Sequence, residues 1–187
     1  MTVQGFHVFD SPIGPLTLAW SADGVTHLRL TAGDLEASRC SAQTRFGCAE
    51  GEPTAAAAAV RDGVLRMLAG EQVSFTDAPF DFGDAPAFDE AVWRAFARIP
   101  PGRTATYGEI AAQIGAPGEQ RRVGHALGRN PIAVATPCHR VLGADGKPGG
   151  FSAPGGIETK LRLLNLERRL FGAGDGLFDD LPLAVRR

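Results

Sequence analysis

Short apolar runs separated by turn residues open the chain. The run around FHVF (6–9) is followed by DSPIGP (10–15), LTLAW (16–20), the Asp23-Gly24 pair and VTHLRL (25–30). An Asp-Gly pair between two apolar runs is a strong hairpin signal, so this part is expected to form an antiparallel sheet. Thr54, an alanine-rich segment and Gly70 then supply an N-cap, a helix body and a stop. Segment 71–86, with Pro79, Gly83 and Pro86, reads as a connection between two domains, 1–84 and 85–187.

From Ala87 the period changes. Phe88, Val92, Phe96 and Ile99 recur at helical spacing, with Asp89 and Glu90 in the first turn and Arg94 and Arg98 toward Pro100. Thr106 and Glu109 have capping-box spacing and lead into IAAQIG, with Gly115 as the stop. After the turn at Ala116-Pro117-Gly118, residues 119–127 form another helix ending at Gly128. Two short helices joined by about four turn residues predict a helix-turn-helix. A late helix over 158–170 is expected to bury Leu161 and Leu164.

Composition limits the function classes. At 187 residues and 44% apolar content the chain can bury a core, and nowhere do 18 apolar residues run uninterrupted. The N-terminus has no basic region with an apolar signal core, which points to the cytoplasm. Cys40, Cys48 and Cys138 form no C-x-x-C, so neither a disulfide framework nor a zinc ribbon is indicated. The net charge of -2 divides unevenly. Residues 1–84 hold 5 Lys+Arg against 11 Asp+Glu, giving -6, and residues 85–187 hold 14 against 10, giving +4. Such an asymmetry marks either a polyanion-binding half or a solvated surface.

Two stretches suggest chemistry. The first is IAVAT (132–136), read as a buried strand that ends at Pro137-Cys138-His139-Arg140. A thiol beside an imidazole and a guanidinium fits a reactive cysteine, although a small buried cysteine without chemistry fits as well. Neighbours in an extended chain point to opposite sides, so Cys138 and His139 are badly placed for a direct hydrogen bond and well placed for a bridging water. The second is the helix after Gly118. Gly124 and Gly128 lie at i and i+4, Arg121 and Arg122 open it and Arg129 closes it. A helix with ordinary side chains is about 10 Å across and a DNA minor groove about 6 Å wide, so a bare helix face suits that groove. Tight packing inside the domain is the competing explanation.

The ordered motifs VW (92–93), IPPGRTATYGEIAAQIG (99–115), RRVGHALGRNP (121–131), PCHRV (137–141) and GGFS (149–152) resemble the O6-alkylguanine-DNA alkyltransferases. SPIGPLTLAWSADGV near the N-terminus does so more weakly. The resemblance implies an α/β N-terminal ribonuclease-H-like domain and a mainly α, winged-helix-like C-terminal domain with the helix-turn-helix. It also implies irreversible, single-turnover repair of O6-alkylguanine in double-stranded DNA, without cofactor. Cys138 would accept the alkyl group, with His139 deprotonating it through water and Glu167 holding the imidazole. Asn130 would tie the recognition helix to the active-site segment. Tyr107 would crowd the phosphate of the flipped nucleotide and contact its base, and Arg121 would fill the gap in the stack. Arg122, Gly124 and Gly128 would face the minor groove, and Leu127, Val141, Phe151 and Ser152 would line the base pocket.

Departures from the family pattern accompany the match. Phe151 stands where the family usually has tyrosine, Ala153-Pro154 reads as an insertion, and His125 occupies a position that is often glycine. Cys40, Cys48 and His27 do not match the zinc ligands of some members, so no metal is expected. A monomer is expected. The competing readings are a non-catalytic lesion sensor, in which the cysteine is typically replaced, and an unrelated cysteine hydrolase.

Overall fold

The computed structural model describes residues 2–172. The expected sheet is present. Strands β1 (Gly5–Phe9), β2 (Leu16–Trp20) and β3 (Val25–Leu30) form an antiparallel meander in that order. The register pairs Leu18 with Leu28 and Thr17 with Arg29, so the sheet has two different faces. Leu16, Leu18, Leu28 and Leu30 join the main core, while Ala19 joins Phe6 and Val8 on the other face. Gly24 sits in the β2–β3 turn at φ +154, and a Cβ there would overlap the Pro79 carbonyl. Only glycine allows that approach.

Helix α1 (Leu35–Phe46) was not expected from apolar periodicity. Only Ser38 and Ala42 are buried on it, so its apolar stripe is too thin to register. Its ends are nevertheless marked: the Asp34 side chain accepts from Ala37 N at 2.9 Å, and Gly47 adopts a left-handed φ of 66. Helix α2 (Ala55–Leu68) covers the main-core face of the sheet with Val60, Val64, Met67 and Leu68, and the Thr54 side chain caps it as expected. Segment 71–86 is tied to the sheet. Val25 N donates to Pro79 O at 2.7 Å, Asp81 N donates to Val25 O at 2.9 Å, and Phe75, Phe80 and Phe82 are buried. The main apolar cluster is continuous across it, joining β2, β3 and α2 to the helices beyond.

Helix α3 (Ala87–Ala97) buries Val92, Trp93 and Phe96, whereas Phe88 is only half-buried. Strand β4 (Ala105–Thr106) pairs in parallel with β5 (Val141–Leu142). Between them lie α4 (Tyr107–Gln113), α5 (Gln120–Gly128) and a single 3-10 turn, Cys138–Arg140. The capping box that starts α4 is complete: Thr106 Oγ1 accepts from Glu109 N at 3.1 Å and Glu109 accepts from Thr106 N at 2.6 Å. Trp93 Nε1 donates to Ala126 O at 2.8 Å and holds α5 on α3. Helix α6 (Gly156–Phe171) closes the described chain. Its buried stripe is Lys160, Leu163, Leu164 and Glu167; Leu161, expected in the core, is only half-buried. No helix among the described residues is long and apolar enough to cross a membrane.

Candidate active site and nucleic-acid interface

The IAVAT run is not the strand its apolarity suggests. Ile132 makes one bridge to Leu28, and the chain then turns through 133–135, with Val134 in the left-handed region at φ 70. Asn130 imposes the turn. Its Nδ2 donates to Thr136 O at 2.7 Å, while its Oδ1 accepts from Ile132 N at 3.1 Å and from Thr136 Oγ1 at 2.6 Å. A left-handed β-branched residue costs about 1–2 kcal/mol, which this clasp and the burial of Ile132, Val134 and Ala135 offset. Strand β3 anchors the loop from outside: Leu28 N donates to Pro131 O at 3.0 Å and Ala133 N donates to Leu28 O at 2.7 Å.

Cys138 therefore begins a 3-10 turn and does not end a strand, and the alternation argument for its geometry with His139 falls away. The two side chains are still not hydrogen-bonded to each other. His139 Nε2 meets Glu167 Oε1 at 2.8 Å, and its Nδ1 is buried with no hydrogen-bond partner among the described residues. Arg140 grips the same carboxylate, with Nε at 2.9 Å and 3.1 Å from its two oxygens and Nη2 at 2.7 Å. Gly102 N adds a fourth donor at 3.1 Å. The Glu167 carboxylate is 2% exposed.

The charges in this cluster have opposing causes. Burial would raise Glu167, but His139 and Arg140 outweigh it and bring its carboxyl down to about 2. Burial pushes the imidazole of His139 below its ordinary value, against the pull of Glu167, so the resting ring is neutral. Burial likewise raises the Cys138 thiol, opposed by a hydrogen bond from Asn130 and by the charge of Lys160. The guanidinium next in sequence is thus not the group that favours the thiolate. Arg140 neutralises Glu167, and the helpful charge comes from Lys160, 22 positions on. Lys160 is fully buried, donates from Nζ to Val141 O at 2.7 Å, and is lowered to about 8, by burial first and against the attraction of Cys138. A neutral thiol beside a neutral imidazole with one unpartnered nitrogen is an acid–base pair in waiting.

The glycine face of α5 is open. A Cβ on Gly128 would meet nothing within 4 Å, and one on Gly124 would meet only the Tyr107 ring, at 3.8 Å. Packing inside the protein therefore does not require these glycines. Arg121 and His125 are exposed nearby, and the Arg122 guanidinium lies 3.9 Å over the Phe88 ring. Arg129 does not add a bare charge to this face: it holds the buried Asp89 carboxylate through Nε at 2.7 Å and Nη2 at 2.9 Å. Tyr107, half-buried at the start of α4, lies close enough to Cys138 that the thiol's charge adds to burial in raising its hydroxyl. A pocket of about 280 Å³ reaches Cys138 between Gly128, Asn130, Phe151, Ser152 and Ala153. Leu127 and Val141 are buried in the core behind it.

Residues 87–169 match the family model of the 6-O-methylguanine DNA methyltransferase DNA-binding domain, and this span holds α3 and every residue of the Cys138 cluster. A methylated-DNA–protein-cysteine methyltransferase of Mycobacterium tuberculosis is 44% identical over 93% of this chain and 98% of its own. The one from Mycolicibacterium paratuberculosis is 46% identical over the same shares. The chain belongs to the methylated-DNA–protein-cysteine methyltransferase family. Among solved structures, M. tuberculosis OGT in complex with DNA has a TM-score of 0.73 at 40% identity, covering 89% of this chain and 94% of that one. Within this methyltransferase the site brings Cys138, His139, Asn130 and Glu167 together, with Tyr107 near, and the open glycine face of α5 adjoins it: Gly128 lines the pocket and Gly124 lies against the Tyr107 ring. The motifs alone set Arg140 beside the thiol and not on Glu167, and they do not single out Lys160, Thr136 or Gly102. One signal for Lys160 is present in the sequence: positions 160, 163, 164 and 167 form one helical stripe, so a lysine and a glutamate lie on a buried face.

Proposed function

We propose that Cys138 is the alkyl acceptor in direct-reversal DNA repair, the activity that the family performs on methylated DNA. The protein is a DNA-binding methyltransferase that transfers the group to its own cysteine. The observation that carries the assignment of roles is the divided imidazole of His139, with one nitrogen on Glu167 and the other buried, without a hydrogen-bond partner among the described residues and able to accept a proton. A water bridging Cys138 Sγ to His139 Nδ1 passes the thiol proton to the ring. Glu167, held anionic by Arg140, stabilises the imidazolium. The thiolate then attacks the alkyl carbon: the S–C bond forms, the C–O6 bond breaks, and its electron pair stays on guanine, which takes up one proton. The S–C bond formed is that of a stable thioether, so the thiol is not regenerated, each chain acts once, and no cofactor is needed.

The open face of α5 suits the minor groove of double-stranded DNA, with Arg121 filling the stack after the target nucleotide is flipped and Tyr107 against its phosphate and base. Asn130 couples α5 to the Cys138 turn, and Leu127, Val141, Phe151 and Ser152 shape the base pocket. At the level of domains we take residues 1–84 as a ribonuclease-H-like α/β unit and 85–187 as a winged-helix-like unit; residues 173–187 lie outside the described residues. Three free cysteines fit a monomer in the reducing cytoplasm. The test is to mix the protein with a duplex carrying O6-methylguanine and weigh it intact. One added methyl on the Cys138 peptide is expected, and an unchanged mass with retained binding would replace this reading by a lesion sensor.

A further inference from the structure

Residues 1–84 contain five arginines and no lysine. Three meet carboxylates: Arg39 with Glu50 at 3.0 Å, Arg61 with Asp62 at 2.8 Å and Arg66 with Glu71 at 2.7 Å. Arg29 on β3 and Arg45 in the last turn of α1 have no ion pair with a carboxylate among the described residues. Both line the pocket that reaches Cys138, and both line a second groove of about 450 Å³ that continues from it along Ser152, Ala153 and Pro154. In a segment with a net charge of -6, the two arginines without ion-pair partners face one place.

The groove holds a second unsatisfied group. Thr17, paired with Arg29 across the β2–β3 ladder, is 2% exposed and lines the groove, and its Oγ1 has no hydrogen-bond partner among the described residues. A buried hydroxyl without a partner is costly, and natural folds rarely leave one without reason. The positive potential also shows in its neighbours. Burial and then Arg45 lower the Arg29 guanidinium, and His27 is held near 4 by burial, Arg45 and Arg29. Two guanidinium groups and a hydroxyl donor around one groove have the donor chemistry of a phosphate site.

We propose that Arg29, Arg45 and Thr17 bind a backbone phosphate of the DNA strand that carries the target nucleotide, where that strand leaves the Cys138 pocket. This rests on the DNA-repair reading above. The strand is assigned by continuity, because the groove and the pocket share Arg29, Leu30, Arg45 and residues 152–154. The contact is additional to the DNA-binding domain, whose family match begins at residue 87.

The test uses the full chain, a duplex with O6-methylguanine, and neutral methylphosphonates placed one at a time along the lesion strand. Each phosphate lost lowers the slope of log affinity against log salt by about 0.9, so R29Q/R45Q is expected to lose about 0.9. Between 1 M and 0.1 M salt that corresponds to roughly 8-fold weaker binding. One methylphosphonate position next to the lesion should weaken the wild type and leave the variant unaffected, and R29K/R45K should keep most of the slope. An unchanged slope, an identical methylphosphonate profile in wild type and variant, or equal losses in the lysine and glutamine variants each overturn the proposal. If Arg29→Gln unfolds the sheet, Arg45→Gln on the exposed end of α1 gives the same readout. If the wild type takes no methyl from the duplex, the repair reading fails first; if it does and the slope is unchanged, only the groove assignment fails.

Discussion

Replacing Glu167 by glutamine keeps the shape of the side chain and removes its charge from a position surrounded by donors. Arg140 Nε and Nη2, Gly102 N and His139 Nε2 all face the carboxylate within 3.1 Å. An amide brings two N–H groups of its own into that ring, so at least one donor loses its acceptor. His139 can relieve the conflict by moving its proton to Nδ1, which is the nitrogen that must accept from the thiol. The carboxyl falls from 4.5 to about 2 in the fold, and at about 1.4 kcal/mol per tenfold change this corresponds to about 3 kcal/mol. Since 1 kcal/mol moves the melting point of a chain this size by about 2–4 °C, a fall of roughly 6–12 °C is expected at pH 7.

The pH dependence has a definite sign. The folded value lies below the unfolded one, so the contribution is fully present above about pH 4.5 and is lost as pH falls toward 2. Wild type and Glu167→Gln should therefore converge in melting point across that window. For chemistry, a wrong imidazole tautomer in a comparable hydrogen-bonded triad costs on the order of 10⁴, so methyl transfer timed by intact mass should slow by about 10²–10⁴ at pH 7. At high pH the thiol ionises without help and the gap should narrow. A folded variant within about threefold of wild type at pH 7, or a deficit of equal size at every pH, would refute the assignment of Glu167 to the proton path.

Gly128→Ala adds a methyl group where nothing lies within 4 Å, so it is expected to raise stability by up to about 1 kcal/mol and to weaken duplex binding; thermal melting with fluorescence anisotropy checks both, and unaltered binding removes the bare-face argument. Asp89→Asn leaves Arg129 without its carboxylate and should cost about 1–2 kcal/mol in chemical denaturation. The released guanidinium should also tighten binding to undamaged duplex at low salt, and looser binding would count against α5 as the DNA face.

Reading the chain depends on how far apart the determining atoms are. The hairpin at Asp23-Gly24, the Thr54 cap and the Thr106–Glu109 capping box each involve residues within a few positions, and each forms where its pattern stands. Helix α1 escaped because Ser38 and Ala42 alone are buried, leaving caps but almost no period. IAVAT misled in the other direction. An apolar run of five reads as a strand, but burial on all sides does not distinguish a strand from a turn, and Asn130 with Thr136 chose the turn.

The sequence by itself determined the local elements, the adjacency of Cys138 and His139, and the family motifs that carry the functional reading. Only the tertiary structure decided how the charges divide. It brought Glu167 to His139 across 28 positions, gave Arg140 to Glu167 and not to the thiol, and placed Lys160 where its charge acts on Cys138. It also set Arg29 and Arg45 beside the pocket mouth, in a segment whose net charge of -6 pointed away from DNA. Backbone geometry is settled by neighbours along the chain, whereas burial and Coulomb interactions depend on distance in space, which no local pattern encodes.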